Sequence, residues 1–251
     1  MHPILFKSSY LYIYSYGFTV AIGFAAAVFL IYRHASEFGI DKAKVIDAGM
    51  VMLISGLAGA RLLYVLTNLK YYIAHPVDII NLPKGGLVEY GGFIFGLIAC
   101  IIFAKLSNIN FWVMADLIAP YIALAQSIGR IGCFLNGCCY GIPVSPSSYI
   151  PCVNFPGESV LRHPTQIYLS CEFLLLFVAL RIWQKRSLFK GEIFLLYVIF
   201  HSLIRFVMEF LRGDNPKIFY GFTMSQLISA GMFAIFFSSF LYRLSRCKKS
   251  S

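Results

Sequence analysis

Charge is what this chain has least of. Of its 251 residues only 13% are charged, and the acidic side chains number 11. With 59% hydrophobic residues and a mean hydropathy of +0.75, it has too few polar groups to solvate a water-soluble domain of this length. The sequence also lacks an internal repeat, a low-complexity tract and any linker that would mark a second domain, so one helical domain over residues 1–251 is expected. It has no phosphate-cradling nucleotide loop, no zincin helix and no serine-hydrolase elbow, which removes those enzyme classes.

What is present is apolar sequence in long runs. A spanning helix needs about 20 mostly apolar residues. Seven windows meet that length: Leu11–Tyr32, Val45–Leu69, Gly86–Ala104, Trp112–Gly132, Thr165–Trp183, Ile193–Leu211 and Met224–Tyr242. The first is too long, and too poor in small-residue cleavage sites, for a removable signal peptide, and is read as a retained helix. An all-α integral membrane protein of seven transmembrane helices is therefore expected.

The formal charge of +10 does not point to nucleic acid, because the basic residues fall in the connections, in alternation. With the N-terminus placed outside, twelve of the 21 Lys and Arg fall inside and six fall outside: Lys7, Lys70, Lys84, Arg162, Arg212 and Lys217. Positive residues are retained on the cytoplasmic side, so an outer N-terminus and a cytoplasmic C-terminus are expected. The remaining three, Arg61, Arg130 and Arg205, lie within helices. One long connection, 136–163, is rich in Gly, Pro and Ser and is expected as a turning extracytoplasmic loop.

An intramembrane charge costs at least ~2.5–3.5 kcal/mol on insertion scales, so each should have a reason. These share a depth. Arg61 lies eight residues before the outer end of its helix, about 12 Å below the surface. Arg205 lies at a similar depth, Arg130 is close to the outer end of helix four, and Glu89 and Tyr90 open helix three. A common cavity opening to the outer leaflet is expected. His201, Arg205, Glu209 and Arg212, spaced 4, 4 and 3, stack on one helix face. There Glu209 pairs with Arg205 and can aim its planar fork at a phosphate. Asp116 and Glu172 are candidates for neutralisation by arginines. An anion or lipid transporter with an arginine-lined pathway remains a reading from another class, although a pathway needs access from both faces.

The stretch SIGRIGCFLNG at Ser127–Gly137 carries the pattern G-R-hydrophobic-G-(N or C)-F-hydrophobic-N-G and resembles the bacterial prolipoprotein diacylglyceryl transferases. Other matching motifs follow in family order: Tyr16-Gly17, Arg61 in GLAGARLLY, Gly91-Gly92 in EYGGFIFG, DLIAP at Asp116–Pro120, RHPTQIY at Arg162–Tyr168 and IRFVMEFLRGD at Ile204–Asp214. The resemblance implies transfer of the diacylglyceryl group of phosphatidylglycerol to the lipobox cysteine of a preprolipoprotein, releasing glycerol phosphate. It implies a plasma-membrane enzyme without metal or organic cofactor, nucleic acid or obligate protein partner. By resemblance, Arg130 binds the lipid head group, Arg205 is a second essential arginine, and Glu209, Tyr16 and Asn136 line the cavity with Arg61. Gly129, Gly132 and Gly137 let backbone approach the lipid, or serve tight helix packing.

The chain departs from the family pattern in two places. Tyr90 stands where better-known members have the histidine of H-G-G, and a phenol near pKa 10 is a poor base at neutral pH. His201 stands where many have tyrosine, so either His201 accepts the thiol proton or arginine-assisted ionisation needs no dedicated base. Those departures keep open a paralogous transferase with another acceptor. Cys133, Cys138 and Cys139 form the second departure. Their C-x4-C-C spacing is not a usual finger spacing. Neighbouring Cys138 and Cys139 are expected to point apart, and a disulfide from Cys152 to one of them, or inert packing, is expected ahead of metal.

Overall fold

The computed structural model describes residues 1–7, 12–81, 86–145, 151–157, 159–213 and 215–250; the side chains of 89, 90, 219 and 248–250 lie outside that description. Its long helices are α1 (Ser15–His34), α2 (Lys42–Thr67), α4 (Glu89–Leu106), α5 (Phe111–Asn136), α6 (Thr165–Gln184), α7 (Glu192–Met208) and α8 (Met224–Ser250). A short α3 (Leu69–Ala74) follows α2. Among the described residues, five segments are long and apolar enough to cross a membrane: Ser15–Phe38, Lys42–Thr67, Phe111–Asn136, Thr165–Gln184 and Met224–Cys247. Three antiparallel hairpins, invisible to hydropathy, sit at helix entrances: β1 (Ile4–Lys7) with β2 (Tyr12–Tyr14), β3 (Val153–Asn154) with β4 (Leu161–Arg162), and β5 (Lys217–Phe219) with β6 (Phe222–Thr223).

The chain divides into two compact units, one of Met1–Leu30 with Ala115–Ser251, the other Ile31–Met114. In the second unit α2 packs along α4, backbone to backbone. A methyl group added at Gly59 would collide with Phe95 and lie 2.7 Å from the Gly91 carbonyl, and one at Gly91 would collide with Gly59. Small residues let membrane helices approach this closely. Asp41 caps α2 by accepting from the Ala43 N–H at 3.0 Å, and Lys44 donates to the Ser107 carbonyl at 2.9 Å.

The core of the first unit is built from Ala119 and Ala123 of α5, Leu169, Phe173 and Leu176 of α6, and Ile193, Tyr197 and Val198 of α7, with Met232 and Phe236 of α8 packed against it. Helix α1 lies against α5 through Gly23, whose added methyl would sit 3.0 Å from the Ala125 carbonyl, and through Gly132, whose methyl would collide with Thr19. Ser127 of α5 and Ser170 of α6 clasp each other, each hydroxyl donating to the other's carbonyl at 2.8 and 2.9 Å.

Asp116 has another task than pairing with an arginine. Its carboxylate accepts the Gly191 and Phe194 N–H groups at 2.6 and 2.9 Å, closing the first turn of α7, where backbone donors otherwise lack partners. The buried Glu172 Oε2 has no hydrogen-bond partner among the described residues, so the expected arginine contact is not formed there.

Candidate active site

In the first unit, α5 and α7 run in step. Asp116 bonds Gly191, and Gln126 bonds His201, the same 75-residue offset at two levels. That register sets Arg130 level with Arg205, and His201 lies one turn before Arg205 along α7. Sequence spacing placed His201, Arg205, Glu209 and Arg212 on one helix face, but α7 ends at Met208, so Arg212 leaves that row and pairs with Gly141 in an isolated bridge; the packing adds the facing row, Gln126 and Arg130, four residues apart on α5.

Arg205 Nη2 lies 3.7 Å from Glu209 Oε2, with Glu209 buried. The other Glu209 oxygen accepts from Asn215 Nδ2 and, at 2.9 Å, from Thr223 Oγ1. Thr223 in turn forms a capping box with Gln226: the Thr223 N–H donates to Gln226 Oε1 at 3.0 Å and the Gln226 N–H donates to Thr223 Oγ1 at 3.3 Å. The start of α8 thus fastens the carboxylate that braces Arg205. Arg130 is half-buried and, among the described residues, makes no hydrogen bond or ion pair. One braced guanidinium and one level with it that makes no hydrogen bond among the described residues have the chemistry to hold an anion.

His201 is packed face to face on Phe173, ring centroids 5.4 Å apart. Its Nε2 lies 3.1 Å from Gln126 Nε2, and Tyr197 OH donates to Gln126 Oε1 at 3.0 Å. An amide whose oxygen is taken by the phenol presents its N–H to the ring, so Nε2 acts as acceptor and the ring is neutral. Sequence reading missed Gln126 and Tyr197, although Tyr197 extends the His201–Arg205–Glu209 spacing by one more step of four.

The signature glycines separate by task. Gly132 is in close contact with Thr19 and lies against the Tyr16 backbone, so its role is packing. Gly137, at φ +75°, ends α5: its N–H reaches the Phe134 carbonyl and the Cys138 N–H reaches Cys133, the paired bonds of a Schellman turn. Only Gly129 has room, with Val20 at 3.9 Å from an added methyl. Tyr16 at the start of α1 is exposed, and Asn136 at the end of α5 hydrogen-bonds the Cys138 thiol.

Arg61 and Tyr90 belong to the second unit. The Arg61 guanidinium, expected in the lipid cavity, donates to the carbonyls of Asp78 (2.5 Å), Ile79 (2.9 Å), Asn81 (3.3 Å) and Gly86 (2.9 Å), flanked by the rings of Tyr64 and Tyr72. It holds the connection between α3 and α4. The Tyr90 side chain lies outside the described residues. Gly91, next to it, serves the α2–α4 contact.

The long connection after α5 is tied down at Gly141, whose N–H donates to the His163 carbonyl at 2.9 Å while Ile142 donates to Leu211 at 2.9 Å. A methyl at Gly141 would lie 2.7 Å from both His163 Cβ and the Leu211 carbonyl. Cys133, Cys138, Cys139 and Cys152 are all unbridged thiols, so the expected disulfide to Cys152 is not formed. Cys138 and Cys139 do not point apart: a positive φ of 65° at Cys139 turns its sulfur to 3.4 Å from that of Cys138. Hydrogen bonds from the Cys133 and Cys139 thiols hold the Cys138 thiol below its ordinary range.

A model of the prolipoprotein diacylglyceryl transferase family matches residues 3–242. The chain belongs to that family. It is similar to the phosphatidylglycerol–prolipoprotein diacylglyceryl transferase of Clostridium tetani, at 38% identity over 99% of this chain and the whole of that protein. It is also similar to phosphatidylglycerol–prolipoprotein diacylglyceryl transferase 2 of Clostridium perfringens, at 34% identity over 94% of this chain and 92% of the relative. The phosphatidylglycerol–prolipoprotein diacylglyceryl transferase of Streptococcus pyogenes is 34% identical over 92% of this chain and 90% of its own length.

Proposed function

We propose that this family member moves the diacylglyceryl group of phosphatidylglycerol to the lipobox cysteine thiol of a preprolipoprotein, in the bacterial plasma membrane. The five long apolar helices, with α4 and α7 as shorter companions, account for seven crossings, N-terminus outside and C-terminus in the cytoplasm. In the reaction a sulfur–carbon bond forms at the lipid's glycerol carbon, the carbon–oxygen bond to phosphate breaks, and glycerol phosphate leaves. The thiol gives up its proton, because the thiolate is the attacking form.

The observation that carries this reading is the level pair Arg130 and Arg205, the first with its donors available and the second braced by Glu209. Negative charge grows on the phosphate as the bond breaks, and fixed cations stabilise that stage more than the ground state. Gly129 leaves backbone open beside Arg130, and Tyr16 and Asn136 flank the same end of α5. His201 lies one turn before Arg205 on α7, with Nε2 turned to Gln126. Proton acceptance by His201 therefore requires the Gln126 amide to move aside; otherwise the arginines favour the thiolate without a base.

The test is purified protein in phosphatidylglycerol vesicles with a lipobox peptide, read by mass spectrometry. A thioether-linked diacylglyceryl peptide is expected, with Arg130→Ala slowed by roughly 10²–10³-fold, the effect of losing one transition-state donor. No product from folded protein beside a working relative would end this reading. A fully active Arg130→Ala variant would remove the residue assignment.

A further inference from the structure

The cysteine cluster is not used by the transfer, whose thiol comes from the acceptor. Cys133 lies in the last turn of α5, and Cys138 and Cys139 follow directly after the Schellman turn at Gly137. Two devices bring three sulfurs from this short segment together. The turn folds the chain back over the end of α5, so that Cys138 also hydrogen-bonds the Cys133 carbonyl at 3.7 Å, and the left-handed backbone of Cys139 swings its side chain to the same side. All three Sγ atoms lie within 4.8 Å of one another.

The cluster is held from outside. Thr165 Oγ1 donates to the Cys139 carbonyl at 2.8 Å, and the fully buried Gln166 donates to the Cys138 carbonyl at 2.5 Å, both from the first turn of α6. Zinc–thiolate bonds of about 2.3 Å in tetrahedral directions place sulfurs about 3.8 Å apart. The observed spacing, from 3.4 Å between Cys138 and Cys139 up to the 4.8 Å limit, brackets that figure. A bound ion therefore needs side-chain adjustments only. The donor set is all sulfur, which selects against magnesium and calcium and favours soft cations.

We propose that Cys133, Cys138 and Cys139 form a three-thiolate site for a thiophilic cation of the zinc–cadmium class. Binding forms three metal–sulfur bonds and releases the thiol protons to solvent, with no change of oxidation state. A tetrahedral ion would take its fourth ligand from water or another donor. The C-x4-C-C spacing is unusual for a zinc site because a tight helix stop, and not a zinc knuckle, closes the loop between ligands.

Full-length protein, reduced and stripped with chelator, is titrated with cadmium chloride while the ultraviolet thiolate-to-cadmium charge-transfer band is followed. One cadmium per chain is expected, displaced by zinc. C138S and C139S should weaken binding by more than the roughly 10–100-fold that loss of an outer-shell partner costs, whereas C171S should leave it unchanged. A second measurement needs no variant. Zinc bound to the wild-type protein should protect Cys133, Cys138 and Cys139 from alkylation, as mapped by mass spectrometry, and leave the reactivity of Cys247 unchanged. Absence of the band in reduced wild-type protein, protection that spares these three residues, or binding unchanged in C138S would each overturn the proposal. So would a disulfide within the triad that forms in preference to the metal complex under mild reduction.

Discussion

Arg61 directs its guanidinium into four loop carbonyls, whereas Arg130 makes no hydrogen bond among the described residues, although both stand as lone arginines in apolar helices. Hydropathy treats them alike, and only the placement of acceptors separates them. A lysine at 61 offers one ammonium where a fork meets several carbonyls. Arg61→Lys is expected to leave part of that set unsatisfied, at about 1–3 kcal/mol per buried group, and to lower the unfolding temperature in detergent. An unchanged melting curve with abolished transfer would instead return Arg61 to the lipid site. Gln126 gives a second contrast at this scale. Gln126→Leu removes the N–H from His201 Nε2 and the acceptor from Tyr197. If His201 accepts the thiol proton, the variant should transfer at least as fast near neutrality, and its rate should fall as acid protonates the ring. A pH–rate profile identical to that of His201→Ala would exclude that role.

Helix ends decide how the site is held. The Thr223–Gln226 box starts α8 and, through the same Thr223 hydroxyl, anchors Glu209. Thr223→Ala is expected to cost about 1 kcal/mol as a lost cap and, beyond that, to reduce the transfer rate, because Arg205 loses part of its brace. Thr223→Ser, which keeps the hydroxyl, should restore both; a rate that stays low with serine would disconnect the cap from the site. The four-residue spacing along α7 was readable in the sequence. Gly132 was readable as serving either lipid approach or helix packing, and Gly137 not as a helix stop, because the choice depends on which partner arrives from α1 or from the turn itself. The Cys139 backbone was not readable at all: a positive φ at a non-glycine residue is set by the clamps from Thr165 and Gln166 on the carbonyls around it.

Across the whole chain, composition announced the membrane and the apolar runs announced the helices, since length and hydropathy are local properties. The hairpins between helices, the short α3 and the division into two compact units depend on tertiary contacts and left no such trace. Orientation is a matter of charge balance, twelve basic residues against six in the connections. An impermeant thiol reagent applied to right-side-out vesicles should miss a single cysteine retained at 247 and reach one placed at Ser159; the opposite pattern would invert the proposed topology.

The reciprocal serine bonds between α5 and α6 set a depth as well as a contact. Sliding one helix past the other by a single residue, about 1.5 Å, would break both hydrogen bonds together. Arg130 follows Ser127 by three residues, so its height along α6 is fixed by the protein to within that step. In a thicker or thinner bilayer this arginine cannot ride with the lipid surface. If Arg130 holds the lipid head group as proposed, the membrane must pucker or thin locally to bring one to it, and the cost of that deformation falls on the surrounding lipid.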